Sequence, residues 1–227
     1  MFLRVFFFNI IFYFSILFFG LLLLPILTSR TLTRKTVRVW AKCIILVLTK
    51  ILNIKIVFKN NSLKEKEGQV IAANHQSAFD TIFFLAAFDK TIYIIKKELI
   101  FIPVYGWYAM RLGNIYIDRK KKIESIKKIS KNIVNLIKQG HKIVIFPEGT
   151  RQAPKKIGAI KPGVFLIQDR LKRPIFPVYI DSGETWPRNS FKIKKKNIFI
   201  KSLKPIPYGL TKKKFKEILK KSFRKNL

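Results

Sequence analysis

The sequence predicts an α/β domain, a central sheet flanked by helices, preceded by an amino-terminal pair of membrane-associated helices. Two observations lead there. Beyond Asn60, short runs rich in β-branched and aromatic residues alternate with helix-like stretches. Ahead of them, Val5 to Leu27 holds no charged residue. With 49% apolar and 14% aromatic residues in 227, the chain is not disordered and can bury one core plus an appendage.

The amino-terminal run is dominated by Phe, Ile, Leu, Val and Tyr, with Asn9 and Ser15 as its clearly polar interruptions. As a helix of 23 residues it reaches ~34 Å, enough for a hydrocarbon core of ~30 Å. It is longer than the apolar part of a secretory signal, and no small-residue cleavage site follows it. Arg30, Arg34, Lys35 and Arg38 come next, and the positive-inside rule holds that end on the cytoplasmic side. A second apolar stretch, Val39 to Phe58, is broken by Lys42, Lys50 and Lys55 at roughly helical spacing and predicts an interfacial helix. The first segment either spans the bilayer or forms with the second a re-entrant pair in one leaflet. Residues 1–58 are thus the expected anchor and 59–227 the expected domain. The single cysteine, Cys43, excludes an internal disulfide, and its apolar surroundings predict a packed thiol.

Candidate strands follow at Gln69–Ala73, Thr91–Ile95, Asn114–Ile117, Lys142–Phe146, Ile175–Ile180 and Asn197–Ile200. Candidate helices are Ser77–Phe88, Glu98–Leu112, Lys122–Lys138, Val164–Leu171 and Thr211–Lys225. Charge is as informative as hydropathy. Against 12 acidic residues stand 46 Lys and Arg, a formal net charge of +34, and a field of that size seeks a polyanion. The apolar amino terminus favours an anionic membrane surface over nucleic acid, for which no recognisable motif is present. Residues 191–227 carry 14 basic residues and one acid, Glu217, as a solvated basic face or one drawn to anionic lipid.

Candidate chemistry sits at strand ends. Asn74-His75-Gln76-Ser77-Ala78-Phe79-Asp80 follows the strand Gln69–Ala73 and sets one of two histidines five residues before a carboxylate. A neutral imidazole accepts a proton from an alcohol near neutral pH, and a carboxylate on its other nitrogen fixes the tautomer. Ser77 and Asp80 also fit a capping box, which leaves His75 unexplained. One acid can do both, because the helix dipole favours its ionised form in the first turn. Phe146 to Arg151 closes another strand. There Pro147 fixes the exit and Gly149 permits a positive φ, so that the turn presents Glu148, Thr150 and Arg151 into a crevice, or is merely a turn. Gly113 to Arg119 ends in the pair Asp118 and Arg119; that arginine can grip a phosphate with two hydrogen bonds or be an ordinary surface residue. Pro174 to Ile180 reads as a core or edge strand. His141 has no acid at useful spacing and is expected to face solvent.

The order of these four pieces resembles the glycerolipid acyltransferases, most closely the bacterial 1-acyl-sn-glycerol-3-phosphate acyltransferases. Asn74, His75 and Asp80 match the family's first motif, and Gly113 to Arg119 its second, with Tyr116 in the place of Phe. Phe146 to Arg151 meets the third in full, followed by Gln152 where serine is usual, and Ile175-Phe176-Pro177-Val178 is similar to the fourth. Lys97-Glu98-Leu99, Pro103 and Gly106-Trp107 look like the segment between the first two. The resemblance covers 69–181. It implies a mixed central sheet, and His75 as the base that activates the sn-2 hydroxyl of lysophosphatidate, oriented by Asp80. It implies an acyl-CoA or acidic acyl carrier protein as donor. Arg119 and Arg151 would bind the acceptor's phosphate while Glu148, Gly149 and Thr150 shape the glycerol site. It implies no metal, no further cofactor, no covalent acyl-enzyme, and a place at the inner membrane with the domain on its cytoplasmic side. An acyltransferase of the same family acting on another lysolipid fits the same motifs, and a non-catalytic polyanion-binding membrane protein is the reading from a different class.

Overall fold

Strand β2 (Gln69–Ala73) is buried at every position, as a strand covered on both faces must be. In the computed structural model, which describes residues 1–60, 62–64, 67–117 and 132–227, it lies at the centre of a sheet ordered β1-β7-β6-β2-β5-β3-β4. The others are β1 (Ile56–Lys59), β3 (Thr91–Lys96), β4 (Ile115–Ile117), β5 (Lys142–Ile145), β6 (Ile175–Ile180) and β7 (Ile198–Ser202). Neighbouring strands run parallel except β6 and β7, so the sheet is mixed.

Alternation along the strands builds two cores. Ile71 and Ala73 face a layer formed by α1 (Phe2–Leu22), α2 (Arg30–Leu52) and α3 (Ala78–Ala87). Val70 and Ala72 face the helical residues 132–138 (α5), α6 (Gly163–Leu171) and α7 (Lys212–Arg224). The remaining helix, α4 (Tyr105–Arg111), lies between β3 and β4. On α7 the spacing Phe215, Leu219, Phe223 buries one stripe and leaves most of its lysines in water.

Several expectations change. The second apolar stretch is not one helix: α2 begins at Arg30, capped by Ser29, and ends at Asn53 in the left-handed region with φ 51°. Ile56–Lys59 then pairs in parallel with β7, so the sheet begins inside the expected anchor. Ala41, Ile44, Leu48 and Leu52 form the inward stripe of α2, which puts Cys43 on the opposite side, exposed and not packed. The helix expected at Glu98–Leu112 is divided by Pro103 into a 3-10 turn, Lys97–Phe101, and α4. His141 is buried, not solvent-facing: its backbone N–H donates to the Leu136 carbonyl, and its Nδ1 lies 3.1 Å from the same oxygen. Burial and nearby Arg34 hold its imidazole below the usual range. Of the helix expected at Lys122–Lys138, residues 122–131 lie outside the described residues.

Candidate active site

Three adjacent strands deliver the candidate site at their carboxyl ends, where open α/β sheets form their crevices. β2 passes into α3 through the turn Asn74–Ser77. Asn74, fully buried, continues the β2–β6 pairing with its side chain: Nδ2 donates to the Ile180 carbonyl at 2.8 Å, and the Ile180 N–H donates to Oδ1 at 2.7 Å. This lock fixes the backbone immediately before His75.

Asp80 has no solvent exposure and gathers four donors. Its Oδ2 accepts from His75 Nδ1 at 2.8 Å and from the backbone N–H groups of Gln76 and Ser77 at 2.7 and 2.9 Å; Oδ1 accepts from the Ser182 hydroxyl. A carboxyl surrounded only by donors is the acceptor form, the carboxylate, so the proton of a neutral His75 sits on Nδ1. The capping box is complete as well, and Asp80 therefore serves both helix and histidine. Nε2 of His75 has no protein partner among the described residues, and it is the nitrogen left to accept a proton. Phe146 stacks on the imidazole, ring centroids 3.9 Å apart, and sets its plane.

The turn after β5 is tied to this histidine through its backbone. Glu148 Oε2 accepts from the His75 N–H at 2.8 Å and Oε1 from the Gly158 N–H at 2.7 Å, while the Gln152 N–H donates to the His75 carbonyl at 2.7 Å. Gly149 takes the positive φ its position required, 75°. Burial pushes the Glu148 carboxyl up to about 7 against these two donors, with the negative charge of Asp80 adding to the rise. With both oxygens occupied and almost no exposure, Glu148 holds the two turns together and presents no free carboxylate to a crevice.

Next to the first turn of α3 an apolar cavity of about 470 Å³ runs between α1, α2, α3 and α4. Phe12, Phe19, Trp40, Ile82, Leu99 and Tyr108 are among its walls, and Arg151 is its one cationic lining residue among the described residues. Tyr116, on β4, has a buried hydroxyl without a partner among the described residues, and burial raises it to about 12. Asp118 and Arg119 lie outside the described residues. His75, Asp80, Glu148 and the Gly149 turn therefore converge, and Arg151, two residues past Gly149, lines the cavity. Ser182 was not singled out from sequence, and Asn74 entered as a residue of the first motif without a role of its own. The one signal for Ser182 was its position just past the fourth motif, on the strand that proves to lie beside β2. No group of three or more acidic, cysteine or histidine side chains suited to a metal occurs among the described residues.

Fold and site define an α/β domain with a histidine paired to a buried carboxylate at the carboxyl end of its central strand and an apolar cavity against the helix that follows. The Acyltransferase family model matches residues 54–181, more than half of the chain, and the chain belongs to that family. It is 28% identical over 164 residues to the 1-acyl-sn-glycerol-3-phosphate acyltransferase of Pseudomonas aeruginosa, covering 72% of this chain and 64% of that one. To the enzyme of the same name from Saccharomyces cerevisiae it is 30% identical over 175 residues, 75% of this chain and 57% of the relative. It thus spans roughly three-fifths of the length of these relatives. The fold matches the crystal structure of the 1-acyl-sn-glycerophosphate acyltransferase PlsC from Thermotoga maritima with a TM-score of 0.77, at 21% identity, over 99% of this chain and 93% of that one.

Proposed function

We propose that the protein transfers an acyl chain from an acyl thioester to the sn-2 hydroxyl of 1-acyl-glycerol-3-phosphate, giving phosphatidate. The observation that carries this reading is the His75–Asp80 pair, with Nε2 left open in the turn that leads into α3, whose Ala78 and Thr81 line the apolar cavity. Nε2 takes the hydroxyl proton as the oxygen attacks the thioester carbonyl, and Asp80 stabilises the imidazolium. The tetrahedral intermediate collapses with cleavage of the carbon–sulfur bond. The departing thiolate of coenzyme A or of an acyl carrier protein takes the proton back from Nε2, so the base is regenerated. The cavity accommodates an acyl chain, Arg151 and Arg119 bind the acceptor phosphate, and Glu148 shapes the site through the backbone it holds. Gly149 and Thr150 border the glycerol.

The amino-terminal pair is the anchor and the remainder the catalytic domain, on the cytoplasmic face of an inner membrane rich in anionic lipid. Helix α1 is long and apolar enough to cross a bilayer, yet it touches the domain along its length. Phe8 and Phe12 pack on Trp186 at 5.2 and 5.0 Å and Gly20 accepts from the Tyr108 hydroxyl, while Ser15 accepts from the Trp40 indole of α2. Residues 8 and 20 stand ~18 Å apart along the helix axis. A spanning orientation would carry charged parts of the domain into hydrocarbon, so α1 lies within one leaflet.

The test is acyl transfer by the full chain in vesicles, with acyl-CoA and with acyl carrier protein as donors, against lysophosphatidate and other lysolipids. Label appearing in phosphatidate is the expected outcome. Transfer only to another lysolipid overturns the acceptor, and no transfer from any thioester overturns the reaction.

A further inference from the structure

The outer side of the cavity wall is as apolar as the inner side. Leu99 to Met110 runs for twelve residues without a charge, in a chain of which 26% is charged. Leu99, Val104, Tyr105 and Tyr108 line the cavity from within. Outside, Phe101 is 79% exposed, and Trp107 and Met110 also project from the surface. A wall facing water carries polar side chains on its outer side; clustered exposed aromatics mark a surface made for an apolar medium. Lys96, Lys97 and Glu98 stand at one end of the run and Arg111, whose guanidinium donates to the Thr28 carbonyl, at the other, so that the flanks carry a net positive charge of the sign that suits anionic headgroups. The run is also continuous with α1. Val104 packs on Gly20 so closely that a Cβ at position 20 would lie 2.3 Å from its Cγ1. At Val104 the chain reverses in a γ-turn, φ 62°, closed by the Tyr105 N–H on the Pro103 carbonyl at 2.6 Å, which leaves Phe101 and Pro103 exposed at the tip.

We propose that Leu99–Met110 is a second membrane-inserting element, which seats Phe101, Trp107 and Met110 among the acyl chains of an anionic leaflet beside α1. The proposal rests on the membrane attachment read from α1 and goes beyond it: the α/β domain itself enters the leaflet, and the outer wall of the cavity borders on lipid.

The single cysteine makes the test direct. A full chain carrying Cys43→Ala receives one new cysteine at a time through Phe101→Cys, Met110→Cys, Phe14→Cys on α1 and Lys213→Cys on α7. Each is labelled with an environment-sensitive fluorophore and mixed with phosphatidylglycerol–phosphatidylethanolamine vesicles, with and without nitroxides on the acyl chains. Probes at 101 and 110 are expected to behave like that at 14: blue-shifted, quenched by the nitroxide lipids and no longer quenched by aqueous iodide. The probe at 213 is expected to stay open to iodide. If 101 and 110 stay open while 14 is shielded, the second element does not exist. If 14 stays open too, the membrane reading itself is wrong. Shielding of 101 and 110 before vesicles are added means that a second copy of the chain covers the run, and that also overturns the proposal.

Discussion

Asp80 and Glu148 both stand within hydrogen-bonding distance of His75, one at the ring and one at the backbone, and their surroundings separate their roles. Asp80 is met by four donors, one of them the imidazole, so its charge reaches the reactive group. Glu148 is met by two backbone N–H groups from two different turns, and burial raises it to about 7. In the proposed mechanism the first carboxylate governs the chemistry. The second is placed to govern where the turns stand, and the proximity of an acid to a histidine does not by itself assign it to a proton relay.

Substitutions at the two turns can break that contrast. His75→Ala is expected to lower turnover by about 10³-fold, within the range of general-base removal, with the unfolding midpoint little changed. Wild-type rates in the variant would falsify the base assignment. Asp80→Asn follows at about 10²- to 10³-fold, because the amide must turn an N–H toward one of four donors and no longer supports the tautomer protonated at Nδ1. The signature is a fall in kcat with KM for the acceptor nearly constant.

Glu148→Gln acts first on stability. A carboxyl near 7 in the folded chain and near 4.5 in the unfolded one binds more protons when folded, so its stabilising contribution is full below about 4.5 and is lost as pH rises through about 7. Relative to the non-titrating variant, the wild type should lose on the order of 3 kcal/mol between these limits, as denaturant unfolding at the two pH values will show. A constant difference across that range would return Glu148 to an ordinary ionised carboxylate. Ser182→Ala should cost about tenfold in turnover, since a hydrogen bond to a charged group contributes about 1.5–3 kcal/mol and three other donors remain. Full turnover in that variant would remove Ser182 from the support of Asp80. The smallest effect is expected from Tyr116→Phe, which deletes a buried hydroxyl without a partner among the described residues and should stabilise the fold by about 1 kcal/mol. Loss of turnover without that gain would mean that a substrate uses the hydroxyl.

Much of this was legible beforehand, for identifiable reasons. β2 and β6 announced themselves because strands buried on both faces read as continuous apolar runs, and their observed limits are the expected ones. The five-residue interval between His75 and Asp80 is local, so a turn followed by one helical turn was enough to bring them together. Strand β1 was hidden because it continues an apolar stretch that already had a helical explanation, and only pairing with Ile198–Ser202 makes it a strand. Ser182 reaches Asp80 from 102 residues away, through the adjacency of β6 and β2, which no local pattern encodes. The cavity belongs to four separate helices, and His141 was misplaced because its burial follows from the packed chain and not from the spacing of acids along the sequence. Glu148 was placed at the correct turn, and its work became visible only with the N–H groups of His75 and Gly158 around it.

The contact of α1 with the domain from Phe8 to Gly20 has a kinetic consequence. Under the proposed reaction at a leaflet, the acceptor arrives by lateral diffusion in two dimensions while the thioester arrives from bulk water in three. The rate then follows the mole fraction of lysolipid in the surface, not its molar concentration, and diluting the leaflet with inert lipid slows turnover even when every reactant keeps its total amount.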